Sequence, residues 1–220
     1  MNRELFANEH SGITTMIVAK VGGSLFDWAA LPAALRAWLA NTTEQPAILF
    51  PGGGVTADAI RAFDQTFQLG EEISHWLAIR TLSVNARVLA ALLPDIPLID
   101  DAYQNEIWRG SRILDPLTFF QRDESKDDHL PHTWDVTSDS LALRLAIVLQ
   151  ATELVLLKST DTPFTNWNQA SELGVVDKYF ATAMQSAPAN RGVRVVNLRR
   201  WHAEQCPEPA PPVPSPSPSR

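Results

Sequence analysis

Cysteine is nearly absent from the 220-residue chain, and the one present, Cys206, stands at the edge of a proline-rich tail. A single thiol excludes an intrachain disulfide and any multi-cysteine zinc site. Basic charge is also short. Lys and Arg number 18 against 25 Asp and Glu, a net charge of −7, whereas a protein that binds nucleic acid by neutralising phosphates carries the opposite sign. Anion binding at a few chosen sites is still open to such a chain. No apolar run approaches the roughly 20 residues of a spanning helix. The opening MNRELFANEHSGITT lacks the apolar centre of a signal peptide. The expectation is a cytoplasmic protein with neither membrane nor nucleic acid as partner. Apolar residues, by contrast, make up 45% of the chain, enough to bury the core of one domain.

Residues 1–15 are polar and without period, and read as a flexible arm. From Cys206 the chain runs CPEPAPPVPSPSPSR, with seven of the sixteen prolines. Proline has fixed φ and no amide donor, so this stretch joins neither sheet nor helix. The reading is a folded domain over 16–203 and a disordered tail over 204–220. Within the domain, strand and helix signals alternate. Strands are expected at 16–21, 46–50, 96–100, 153–158 and 193–198, with a short one at 112–114. Helices are expected after Asp27, which can cap a run carrying Leu31, Leu35 and Leu39, and then at 56–67, 72–92, 137–150 and 176–186. The rest of 101–134 reads as irregular. Strands separated by helices argue for an α/β fold with a mainly parallel sheet covered on both faces. Ligands in such folds sit beyond the carboxyl ends of the strands.

Four groups of residues fall at those ends. Lys20-Val21-Gly22-Gly23-Ser24 closes the first strand; its glycines let backbone approach a ligand, and its free amides can bind phosphate oxygens. A tight turn with a surface lysine fits it as well, and the Walker spacing is absent. Pro51-Gly52-Gly53-Gly54 closes the second strand. Two glycine loops side by side point to two anionic groups held together, or to one passed between them. Asp135-Val136-Thr137-Ser138-Asp139-Ser140 opens a buried helix. One aspartate there can cap the helix, which leaves the second to orient lysines or bind a metal–nucleotide complex. Lys158-Ser159-Thr160-Asp161 closes the fourth long strand with another cation. Two lysines, two glycine loops and an orienting aspartate are the parts phosphoryl transfer requires. A competing group, Asp127, Asp128, His129, His132 and Asp135, could bind a transition metal; a solvated loop is the plainer reading, and no metal ligand is assigned. Trp76 and Trp134 fit core and pocket wall alike.

Taken in order, KVGGSL, FPGGG, WDVTSDSLA and LLKSTD resemble the amino-acid kinase family, over about residues 16–200. The resemblance implies a three-layer α/β/α sandwich, ATP as phosphoryl donor, Mg²⁺ entering with ATP, a small-molecule acceptor and a homo-oligomer. It implies that Lys20 neutralises the transferring group and that Gly22, Gly23 and Ser24 form the first phosphate loop. Gly52, Gly53 and Gly54 would lie between acceptor and γ-phosphate. Asp139 would organise the catalytic lysines Lys20 and Lys158. Lys158, Ser159 and Asp161 would fall on the nucleotide side, and Gly53 and Asp135 on the acceptor side. Lys178 is either a further nucleotide-side cation or a solvated helix residue. Within the family, SHWLAIRTL and LPHTWDVTSDSLA resemble the small kinases of methanofuran biosynthesis, whose acceptor is an aminomethylfuran phosphate. The expected reaction is therefore γ-phosphoryl transfer from ATP to a phosphate monoester, with Asp135 pairing the acceptor's ammonium. The alternatives are a uridylate, isopentenyl phosphate or amino-acid acceptor, or a non-catalytic nucleotide or oxyanion binder.

Overall fold

The computed structural model describes residues 16–41, 45–103, 110–188 and 191–205. The arm at 1–15 and the tail from 206 onward lie outside the described residues. Six parallel strands form one sheet in the order β3-β4-β2-β1-β5-β6. They are β1 (Ile17–Val21), β2 (Ala47–Pro51), β3 (Leu98–Ile99), β4 (Arg112–Leu114), β5 (Glu153–Lys158) and β6 (Gly192–Asn197). β1 and β2 are buried at every position, which explains why both read as continuous apolar runs rather than alternating ones.

Helices cover both faces: α1 (Leu31–Asn41), α2 (Gly54–Phe67), α3 (Glu71–Leu92), α4 (Pro116–Asp123), α5 (Ser138–Val148), α6 (Trp167–Glu172), α7 (Phe180–Gln185) and α8 (Leu198–Gln205). The result is a three-layer α/β/α sandwich with two cores. One joins Val18, Ile48, Phe50, Leu154 and Leu156 to α5 and α7. The other joins Ile17, Ala19, Leu49, Val155 and Leu157 to α1. Helix α3 enters both, through Ile79 and Leu82 on one side and Ala86 and Leu89 on the other.

The pleat places the lysines. Side chains two apart on a strand share a face, so Lys20 follows Val18 onto the α5 face, and Lys158 follows Leu154 and Leu156 onto the same face. The register pairs Lys20 with Leu156. Lys158 therefore stands one pleat further toward the carboxyl edge on the adjacent strand.

Several elements differ from expectation. Helix α4 lies inside the stretch read as irregular; Asp115 caps it through the Leu117 amide, and Pro116 occupies its first turn, a pairing that favours helix starts. Helix α6 starts at an Asn166 cap. The chain continues from β6 directly into α8, which runs to Gln205. Strand β3 spans only two residues. Asp27 caps no helix: it pairs with Arg199 at 2.5 Å, and α1 begins four residues later.

Candidate functional site

The two glycine loops meet backbone to backbone. A side chain at Gly23 would place its Cβ 2.6 Å from Gly54 Cα, and one at Gly54 would lie 2.7 Å from Gly23 O. Gly54 also has φ of +55°, a conformation costly for residues with a Cβ. Glycine at these two positions is thus a condition for the loops to touch. Around them, Gly22 donates to Leu157 O and Gly52 to Val21 O. Ser24 and Ser159 share a hydroxyl hydrogen bond of 2.8 Å, tying the β1 and β5 loops together. Asn85, buried on α3, donates to the carbonyls of Gly52 and Gly53, both at 2.7 Å.

Beside the loops, Asp139 in the first turn of α5 accepts from two lysines. Lys20 Nζ lies 2.8 Å from its Oδ1, and Lys158 Nζ lies 2.8 and 2.9 Å from its two oxygens. Burial would push the Asp139 carboxyl up, but Lys158 and Lys20 hold it at about 2. Burial lowers Lys158 from 10.5 to about 8 although Asp139 supports its charge. Asp139 therefore stays ionised, and one lysine is held close to its point of proton release.

Asp139 is free to do this because another residue caps α5. Asp177 accepts from the Thr137 and Ser140 amides and from both of their hydroxyls, at 2.5–2.9 Å. Burial, together with the neighbouring Asp139 charge, raises the Asp177 pKa. The sequence offered no local signal for Asp177, which acts across 37–40 positions.

A cleft of about 230 Å³ opens from this point. Lys20, Gly23, Ser24, Gly53, Gly54 and Asp139 line its inner end. Ala57 and Arg61 of α2, Glu71, His75, Ile79 and Leu82 of α3, and Thr133, Trp134 and Val136 are among the residues of its walls. The segment carrying Trp134 is held at three places. Trp134 Nε1 donates to Asp64 at 2.7 Å. His132 sits between Glu72 at 2.5 Å and Glu124 at 2.9 Å. Asp128 forms a two-point pair with the buried Arg144, which also grips Asp123. Arg144 holds the Asp128 carboxyl at about 2.

The competing metal group is thereby split. Asp128 serves Arg144, and Asp135 serves Lys178. Glu124, His129 and His132 do keep ligand atoms within 4.8 Å of one another, with Glu124 rather than Asp127 as the carboxylate. Both nitrogens of His132 face carboxylates. Burial would lower its pKa, but the bonds from Glu72 and Glu124 raise it, the behaviour of an imidazolium bridging two acids.

The structure thus brings together Lys20, Gly22, Gly23, Ser24, Gly52, Gly53, Gly54, Asp139, Lys158 and Ser159. It sets two of the expected residues apart. Asp161 is exposed and bound to Asn197 and Arg200. Asp135 is exposed, pairs with Lys178 at 3.1 Å and does not line the cleft. The sequence reading missed Asn85, Asp177, Arg144, Glu71 and His75. The available signals were a lone Arg inside SDSLALRLAIV and the segment SHWLAIRTL, which carries His75.

No family model matches the chain. A (5-(aminomethyl)furan-3-yl)methyl phosphate kinase from Methanocaldococcus jannaschii is 26% identical over 171 residues, 74% of each chain. Among solved structures, uridylate kinase from Archaeoglobus fulgidus matches with a TM-score of 0.58 at 14% identity, covering 86% of this chain and 94% of that one. Aspartate kinase from Synechocystis matches with a TM-score of 0.54 at 16% identity, covering 81% of this chain and 38% of that one. With its sandwich fold and paired lysines at the strand ends, the protein is a phosphotransferase. Its fold is that of these kinases, and its similarity to them supports a place in the amino-acid kinase family.

Proposed function

We propose that the protein transfers the γ-phosphoryl group of ATP to a small phosphate monoester, an aminomethylfuran methyl phosphate, in the building of a methanofuran-type cofactor. The observation that carries the reaction type is Asp139, buried and gripped by Lys20 and Lys158 beside two interlocked glycine loops. Transfer between two phosphate groups chiefly needs alignment and charge neutralisation. Lys20 faces the cleft and neutralises the group in flight. Lys158, one pleat further along, takes the nucleotide side with Ser159. Asp139 keeps both ammonium groups fixed and charged. The amides of the glycine loops supply further donors. Mg²⁺ enters with the ATP phosphates, since Asp139 and Asp177 are already committed to lysines and to the α5 cap.

The acceptor assignment rests on the M. jannaschii relative, whose name specifies that substrate, and on the family resemblance of SHWLAIRTL and LPHTWDVTSDSLA. His75 of the first segment lines the cleft and stacks at 3.9 Å on His132 of the second. A homo-oligomer is part of the proposal. It is supported by exposed Val55, Phe63 and Phe67 on α2 with Ile73, Val84 and Val88 on α3, an apolar surface of a kind that marks association.

The test is ADP release with Mg-ATP across a panel of the aminomethylfuran phosphate, uridylate, isopentenyl phosphate, acetylglutamate, aspartate and no acceptor, with Lys20→Ala run alongside. Turnover with the furan phosphate, lost in the variant, is expected. Turnover confined to another acceptor overturns the substrate, and no acceptor-dependent turnover on the panel overturns the proposal.

A further inference from the structure

Helix α3 runs along one wall of the cleft. Glu71, His75, Ala78, Ile79 and Leu82 line it, and their spacing of four, three, one and three keeps them on one helix face. The stripe has an inner and an outer end. At the inner end, Leu82 lies against the glycine loop, 3.7 Å from where a Gly53 Cβ would stand. One turn beyond, Asn85 holds the Gly52 and Gly53 carbonyls. At the outer end are Glu71 and His75, with His75 about 10 Å of helix from Leu82. The cleft is thus apolar in the middle, phosphate-binding at one end and polar at the other.

The outer polar groups are uncommitted. His75 is only 9% exposed; its ring stacks on His132 and meets the edge of Trp76, and no hydrogen bond to it is found among the described residues. Glu71 likewise has no ion pair or hydrogen bond among the described residues. Asp139, the other carboxylate lining the cleft, is engaged by two lysines. A ligand that displaces solvent from this ring must supply its hydrogen bond in exchange. His132, bridged by Glu72 and Glu124, lies flat against His75. Its charge, after burial itself, keeps the His75 pKa low, at about 4. His75 is thus an uncharged ring able to accept a hydrogen bond.

We propose that Glu71 and His75 form the subsite for the non-reacting end of the acceptor, a primary ammonium carried on a small flat ring whose phosphate lies against the glycine loops. This rests on the reaction proposed above and assigns the residues that recognise its substrate. The carboxylate balances the ammonium charge, and the neutral imidazole accepts one of its protons. Ile79, Leu82, Val136 and Trp134 flank the ring. His132 is a positioning residue that acts through His75.

The experiment compares two acceptors with the full-length protein: the aminomethylfuran phosphate and the same furan phosphate without its aminomethyl arm. The wild type is expected to favour the amine by 10-fold or more in kcat/KM, on the order of the loss of one charge-assisted hydrogen bond. Glu71→Gln, an exposed and near-isosteric change, is expected to raise KM for the amine about 10-fold, with little change in kcat, and to collapse the preference. His75→Phe keeps the stacked ring and is expected to weaken the preference too. Equal use of both acceptors by the wild type overturns this inference and leaves the kinase reading intact. An unchanged preference in both variants overturns it as well. Failure to turn over either acceptor removes the substrate assignment and the subsite with it.

Discussion

Replacing Asp139 with asparagine keeps the shape of the site and removes one charge. In the wild type the carboxyl is held at about 2, against an ordinary value of 3.8. That shift amounts to stabilisation on the order of 2–3 kcal/mol. It is fully present above pH 3.8 and is lost as pH falls through about 2. Asp139→Asn forfeits it at neutral pH for as long as both lysines stay charged. Lys158 has a way out. Burial has already brought it to about 8, and without its counter-ion its pKa falls further, so it releases its proton at a lower pH than in the wild type. In that interval the unfolded variant binds more protons than the folded one. Variant stability therefore rises with pH by up to ~1.4 kcal/mol per unit, while the Lys158 contribution in the wild type stays flat until about pH 8. Urea unfolding should show a gap of about 2–3 kcal/mol near pH 6 that narrows toward pH 8 and is constant above it. ADP release should fall by about 100-fold or more, because a neutral lysine no longer stabilises the transferring charge. A gap of equal size at pH 6 and pH 8 would refute the coupling of Asp139 to Lys158. Wild-type turnover in the variant would refute the placing of phosphoryl transfer at this triad.

The lowered Lys158 pKa also predicts an alkaline fall in kcat/KM for ATP centred near pH 8, since this parameter reports the free enzyme. Lys158→Arg should move that limb beyond the measurable range even if its plateau is lower. Gly23→Ala forces a Cβ into the Gly54 backbone; it should cost about 1–3 kcal/mol in urea unfolding and abolish turnover, and near-normal values for both would show that the loops need not touch. Asp135→Asn breaks only an exposed pair with Lys178, so stability should change by under about 1 kcal/mol and acceptor KM should not change; a large KM increase would return Asp135 to the site.

The inner half of the site was legible because it is written in local signals. Lys20 and Lys158 each end a short apolar strand, and in a parallel sheet the carboxyl ends of such strands share one edge. The glycine loops announce themselves by composition, and a buried helix that opens on an aspartate stands out against its apolar neighbours. Fold class followed from the same strand–helix alternation. Boundaries were harder. Helix α4 is short and lies in a polar region, and only its Asp115-Pro116 start marks it locally. Helices α6 and α8 are six and eight residues long, too short to show more than two turns of period.

The residues that support the site were illegible for a different reason: they act across distance. Asp177 caps α5 from 37–40 positions away, Asn85 holds a glycine loop 32 and 33 positions away, and Glu72 meets His132 across 60. Asp135 shows how this misleads. The family resemblance and the acceptor's ammonium select it as an acceptor contact, but the chain enters α5 through an extended Thr137. Residues on either side of that break need not share a face. Asp139 turns inward to the lysines, while Asp135 faces solvent and Lys178. The need for an anionic contact at the acceptor's far end does not disappear with Asp135. It passes to Glu71 on the cleft wall, a carboxylate with no ion pair among the described residues, four positions before His75 on a continuous helix, where sequence spacing does predict a shared face.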